Sequence, residues 1–329
     1  MDSELYPVIW FGLIGFSLIL YVILDGFSLG IGILFPFVRS DAQRGIMLTT
    51  ASPFWDGNQT WLVLAAAGLY GAFPLVYASL LPGMYLPLVL MLMCLFFRGM
   101  TFEFRSEANV HKGFDIGFSI VTVAVAFLQG MIVGSVIAGL VSDDGNFAEN
   151  AFGWFSWFGV CTGVALVIGY ALLGAAWLIT KTDGRLQRRF YRMIRPMMIL
   201  FMLAMLAVVA WTPFVNTLIA ERWSQLPNLL GLCATGIVML ALAIAPVRSA
   251  SRRHEKRIFA LVAAMFVLGL LGLVASLYPI MLPPDITLWE AASSRASQQF
   301  LLVGYAIMIP IILGYTAYSY RVFRGKVRE

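Results

Sequence analysis

Two carboxylates stand inside apolar runs that hold no other charge, Asp25 in Leu24-Asp25-Gly26-Phe27 and Asp56 in Trp55-Asp56-Gly57-Asn58-Gln59-Thr60-Trp61. A charged side chain at mid-membrane costs roughly 2.5–3.5 kcal/mol on insertion scales, so each must face protein or water, find a partner, or stay protonated. Asp25 lies 14 residues before Arg39 and Asp56 lies 12 after Arg44. At 1.5 Å per helical residue both then sit roughly 18–21 Å from basic residues at one membrane surface, which brings sequential helices to a similar depth. Two such carboxyls in contact would share protonation, as a proton relay requires. The alternative for either is a structural carboxyl bonded to a neighbouring backbone group or serine.

The run around Asp56 is the most polar intramembrane stretch of the chain, on a helix expected to start after Ser52-Pro53. On a helix, Trp55 and Gln59 share one face, Asp56 and Thr60 the next, and Asn58 and Trp61 another. Polar groups spread that widely cannot all face lipid. They read as a lined proton path through Asp56, Asn58 and Gln59 or, alternatively, as an interhelical amide clamp. Gly26 and Gly30 are spaced for the close approach of another helix, and without a preceding strand they do not mark a dinucleotide site. Further on, Arg98, Glu103 and Arg105 alternate with aromatics in Phe97-Arg98-Gly99-Met100-Thr101-Phe102-Glu103-Phe104-Arg105. This pattern suggests an interfacial charge cluster, with a headgroup site and a solvated turn as the other readings.

The elements that would position these residues follow from composition. Of 329 residues 60% are apolar and 12% charged, and these proportions exclude an ordinary soluble domain. The largest polar stretches, 181–195 and 283–299, are too short for a core of their own. Apolar runs predict nine transmembrane helices near 8–37, 50–73, 75–97, 114–140, 152–180, 197–220, 226–246, 258–282 and 300–320, in a single all-α membrane domain. The break at Phe73-Pro74 carries no charge and rests on proline, which lacks an N–H and disfavours helix in the residue before it. With these spans, twenty of the 22 Lys and Arg fall on one side, Arg222 and Arg295 alone fall on the other, and none lies inside a span. The positive-inside rule then puts the N-terminus outside and the C-terminus in the cytoplasm. The net charge of +5 is thereby assigned to anionic headgroups rather than nucleic acid. The acidic start Met1-Asp2-Ser3-Glu4 predicts a first span that is retained.

Other residue types narrow the chemistry. Cys94, Cys161 and Cys233 share no spacing and read as packing residues, as do the 16 methionines. Trp154, Trp157 and Trp177 near the ends of the fifth span suggest an interfacial belt. The two histidines, His111 and His254, fall in loops, so a bis-histidine haem is not expected in this chain. No nucleophilic triad, phosphate-binding loop or zinc spacing is present.

The run Pro53-x-Trp55-Asp56-Gly57-Asn58-Gln59-x-Trp61 resembles subunit II of the bacterial cytochrome bd-type ubiquinol oxidases, a family with a cyanide-insensitive branch. Leu24-Asp25-Gly26-Phe27, Phe73-Pro74-Leu75-Val76-Tyr77 and Leu95-Phe96-Phe97-Arg98 leading to Phe102-Glu103-Phe104-Arg105 extend the likeness over the first hundred residues, and beyond about residue 110 it rests on span count and charge pattern. The resemblance implies two four-helix bundles plus one peripheral helix, paired with a haem-bearing subunit I that holds haem b, haem d and the quinol site. Subunit II would itself ligate no haem, stabilise the heterodimer in the inner membrane, and supply a cytoplasmic proton path for reduction of O2 to water without pumping. In some members it adds an oxygen entrance or a structural ubiquinone. Carried over by position, Asp56 matches the acid of the proton path, Trp61, with Trp55 nearby, the oxygen entrance or interface, and Asp25 an acid on the first helix. Partners implied are subunit I, quinol, lipids and, for some complexes, a small single-span accessory subunit. The rival function is a proton-coupled secondary transporter using Asp25 and Asp56, for which no inverted repeat is visible.

Overall fold

A computed structural model describes residues 2–108, 110–139, 153–252 and 254–327. The described residues are mainly helical: α1 (Asp2–Leu34), α2 (Asp41–Thr49), α3 (Trp55–Ala72), α4 (Pro74–Gly83), α5 (Tyr85–Phe104), α6 (Lys112–Ala138), α7 (Trp157–Lys181), α8 (Gly184–Val215), α9 (Thr217–Ser224), α10 (Leu226–Ser251), α11 (Glu255–Leu277) and α12 (Arg295–Val322). A small antiparallel hairpin, β1 (Ile280–Leu282) and β2 (Ile286–Thr287), joins α11 to α12. Among the described residues eight helices are long and apolar enough to cross a membrane, and α3 with α4 forms a pair bent by 116°.

The bend sits where proline dictates it. Pro74 opens α4, and Phe73 before it takes φ −130° and ψ 63°, outside the helical region. The expected third span, 75–97, is however split. Its first part is α4, and after Pro82-Gly83 the chain breaks again at Met84 and restarts as α5, which runs on to Phe104. Arg98 therefore lies within a helix that spans, and the expectation that no basic residue does is corrected. Hydropathy ended that span early because it cannot see a counter-charge on another helix.

The remaining boundaries shift less. The first span extends over Asp2–Leu34, and the run expected at 258–282 stops at Leu277 before the hairpin. The arginine-rich stretch after Lys181 is helical from Gly184, as the start of α8. Residues 140 and 152, at the ends of two expected spans, and Arg253 and Arg328 of the charge pattern lie outside the described residues.

The axis of the fold is α7, with 78% of its most apolar window buried against 17% for α8 and for α10. It packs on α1, α6, α8 and α11. Glycine makes the α1–α7 crossing close: a Cβ on Gly30 would collide with the Tyr170 carbonyl oxygen, and one on Gly174 with the Gly30 backbone. Of the three belt tryptophans only Trp157 is exposed. Trp177 instead stacks on Phe27 at 4.0 Å between ring centroids and donates its indole N–H to the Thr50 carbonyl at 3.2 Å, and Trp154 is also buried.

Candidate functional site

Asp25 sits on α1 among Tyr21, Gly26 and Ser28, and its side chain is fully buried. Its partner is Arg98 of α5, also fully buried, whose two terminal nitrogens donate to the two carboxylate oxygens at 2.8 and 3.1 Å. This forked pair neutralises both charges and fixes the α1–α5 register through two parallel hydrogen bonds. One turn back on α1, the Tyr21 hydroxyl lies beside the Asp25 carboxyl. It also accepts from the Gln129 amide at 2.5 Å, while the Tyr170 hydroxyl donates to the Gln129 carbonyl oxygen at 2.9 Å. A polar chain Arg98–Asp25–Tyr21–Gln129–Tyr170 thus crosses four helices inside the apolar core. Ser28 Oγ and Arg98 Nε are buried beside it with no protein partner among the described residues.

Asp56 is placed differently. It stands in the first turn of α3, the favourable end of a helix for a negative charge, and it is exposed on the chain surface. Thr60, Val63, Ala67 and Tyr70 continue its face along α3, all exposed. Among the described residues Asp56 makes no ion pair, and the partner of Asp25 is Arg98 rather than Asp56.

What links the two helices is Asn58. Its amide donates to the carbonyl of Leu24, the residue before Asp25, at 2.8 Å, and its oxygen accepts from the Tyr320 hydroxyl of α12 at 3.1 Å. Gln59 is half-buried, and its amide nitrogen has no bonding partner among the described residues. Trp61 is fully buried against Tyr21 and Ile312 with Phe16 edge-on at 5.9 Å, and its indole N–H has no partner among the described residues. Trp55 stacks on Phe102 at 5.5 Å, over Gly99, where a Cβ would meet the indole at 3.0 Å.

The expected cluster of Arg98, Glu103 and Arg105 does not form. Arg98 points into the core, Glu103 is exposed, and neither arginine bonds it. Arg105 instead bridges Asp115 at 2.6 Å and Asp41 at 2.7 Å, with Arg44 on the other Asp115 oxygen at 2.9 Å and His111 on Asp41 at 2.9 Å. This five-residue network ties the α2 loop to the α5–α6 turn. The His111 ring bonded to it, with the nearby Arg105 guanidinium, holds the Asp41 carboxyl below the usual carboxylate range. Sequence reasoning missed Asp41, Asp115 and Arg44 as partners. The available signal was Asp115, a lone acid opening an apolar helix as Asp25 and Asp56 are lone acids within theirs.

His111 is bonded to Asp41 and His254 is exposed at the start of α11, and among the described residues no three His, Cys, Asp or Glu side chains gather as a metal site. These donors do not fit axial ligation within the bundle. The sequence matches the family of cytochrome bd terminal oxidase subunit II over residues 6–323. The chain belongs to that family. It is 28% identical to the cytochrome bd-I ubiquinol oxidase subunit 2 of Escherichia coli K12, over all of this chain and 97% of that one. It is 25% identical to the cytochrome bd ubiquinol oxidase subunit 2 of Bacillus subtilis 168, over 97% and 96%. The bd oxidase structure from Geobacillus thermodenitrificans shares the fold, with a TM-score of 0.81 and 16% identity over 97% of this chain and 98% of that one. As a bd subunit II, the chain is part of a haem-containing quinol oxidase complex and a multi-pass protein of the bacterial inner membrane. The motif resemblance is borne out, and the stand-alone transporter gives way to an oxidase subunit.

Proposed function

We propose that this bd subunit II is the haem-free half of its oxidase, braces a haem-bearing subunit I, and delivers protons to it through Asp56. The observation that carries this is Asn58, which spans from the turn holding Asp56 to the Leu24 carbonyl beside Asp25. Asp56 would take protons at the helix end and present them on the exposed α3 face, where lipid would leave a carboxylate unsolvated and a partner subunit would not. Gln59 and Asn58 are the polar groups next along that turn. Asp25 belongs to the path as its inner anion, with Arg98 compensating its charge. Trp61, packed toward α1 and α12, and Trp55, packed on α5, are assigned to an oxygen entrance or to contacts with the partner. The bent pair α3–α4 counts as one crossing, which gives nine crossings, an outer N-terminus and a cytoplasmic C-terminus within one domain, arranged as two four-helix bundles and a peripheral helix. Of the expected charge cluster, Arg105 keeps a place at that surface through Asp41 and Asp115, and Glu103 is free to meet a partner. Haem b and haem d then lie in subunit I. A structural quinone in this chain and a small accessory subunit complete the proposal, both checked by mass spectrometry of the purified complex.

The test is Asp56→Asn, which removes a titrating group while keeping size and polarity. Oxygen consumption at saturating quinol should fall roughly tenfold or more, the scale of a lost proton-transfer group. Haem content and assembly should stay unchanged. Unchanged turnover would remove Asp56 from the path.

A further inference from the structure

The first third of α8 carries Arg185, Arg188, Arg189, Arg192 and Arg195, all exposed. At 100° per residue they fall within an arc of about 120°. The opposite side, Leu186, Phe190, Ile194 and Met198, is buried in the main core, so this part of α8 is held upright against the protein. The arrangement is electrostatically unfavourable for the chain by itself. Like charges recur at i+3 and i+4, and they crowd a helix N-terminus, which favours anions. Among the described residues no ion pair involves any of the five. No described residue of the chain supplies a counter-charge, which leaves the five arginines open to anions from outside it.

The rest of the same face says what it is. Continued along α8 it presents Ile199, Leu200, Leu203 and Leu206, all exposed and aliphatic, with the small residues Ala207 and Ala210 following only after Leu206. Helix–helix contacts in membranes favour small and hydrogen-bonding residues, and the outward face of α3, with Asp56, Thr60, Ala66 and Ala67, has that character while the face of α8 from Ile199 to Leu206 does not. An aliphatic face that becomes arginine at the membrane boundary matches a phospholipid, tails along Leu206 to Ile199 and phosphate at Arg195 and Arg192. Arg248 and Arg252, exposed at the end of the neighbouring α10, add charge at the same end. We infer that the α8 arginine face is a binding site for anionic phospholipids, recognising the phosphodiester headgroup above an aliphatic track.

The complex purified through this chain, exchanged into mixed micelles of equal phosphatidylglycerol and phosphatidylcholine, should retain phosphatidylglycerol in excess when bound lipid is counted by mass spectrometry. R188Q/R192Q/R195Q should lower that excess at least about fivefold, the contribution of about one basic residue at an anionic surface. R188K/R192K/R195K should keep it, as should K256Q/R257Q. A photoactivatable phosphatidylglycerol should crosslink wild-type chain within residues 196–207, a readout that does not depend on the variants folding. Equal retention in the glutamine variant, crosslinks confined elsewhere, or displacement of the lipid by inorganic phosphate alone would overturn the assignment. So would loss of the partner subunit from the glutamine variant with lipid retention unchanged, which would make the face a protein contact.

Discussion

Asp25 and Asp56 look alike in sequence, single acids at similar depth on sequential helices, yet they occupy opposite kinds of place. Asp25 is sealed in the core with a forked arginine, and Asp56 stands on the surface with no ionic partner among the described residues. A buried, compensated carboxylate is held as part of the scaffold, because removing either member strands the other's charge, and it can serve a proton path only as a fixed anion beside it. The one at the helix end has no such tie to the scaffold. Depth alone therefore does not identify a relay, and the presence of a fixed counter-charge separates the two cases.

The strongest way to break this comparison is Arg98→Leu, which leaves Asp25 buried and unpaired. It should cost about 3–5 kcal/mol and abolish stable complex, whereas Asp25→Leu with Arg98→Leu should recover much of the loss. Yields and thermal midpoints in detergent report this, and a single variant as stable as the double would mean the pair holds no buried charge. Next in size is the turnover of Asp56→Asn, which should not be accompanied by any change in thermal midpoint. A variant that lowered both would place Asp56 in the scaffold beside Asp25. The link between the regions is probed by Tyr320→Phe, which removes one hydrogen bond to Asn58 and should cost about 1 kcal/mol. Its effect should be seen as a small drop in midpoint, larger if the Asn58 bridge to Leu24 loosens with it.

The smallest effect is at Asp41. Its folded carboxyl lies below the ordinary range because of His111 and Arg105, so its contribution is present at neutral pH and fades as pH falls through that lowered value. Asp41→Asn should differ slightly from wild type at neutral pH and converge with it in acid. A gap that widened toward acid would reverse the sign and refute the assignment.

Much of the architecture was legible because the bilayer imposes long apolar runs, and the Phe73-Pro74 break was legible because proline acts locally. Arg98 was misplaced for a physical reason. Its counter-charge is 73 residues away on another helix, and no window along the chain sums over that pairing. Proximity to a helix end suggests a belt role for Trp177, but the C-terminal end of α7 is enclosed by Phe27, Phe54 and Tyr320. Asn58 was singled out from its polar context, while its partners, Leu24 and Tyr320, needed the packing of α1 and α12. The chain Tyr21–Gln129–Tyr170 was invisible for the same reason, since each member alone is an unremarkable polar residue in a long helix.

The distance along the chain between Asp25 and Arg98 also sets an order of events during biosynthesis. At about 5–20 residues per second, the 73 residues that separate them take roughly 4–15 s to make. For that interval the first helix has emerged with its carboxyl but without its guanidinium. The nascent first helix must therefore wait, with Asp25 protonated, hydrated at the insertion machinery, or attended by a chaperone, until α5 arrives. Trp10 waits longer still, since its indole donates to the carbonyl of Gln298, 288 residues downstream. The earliest helix to leave the ribosome is among the last to be completed.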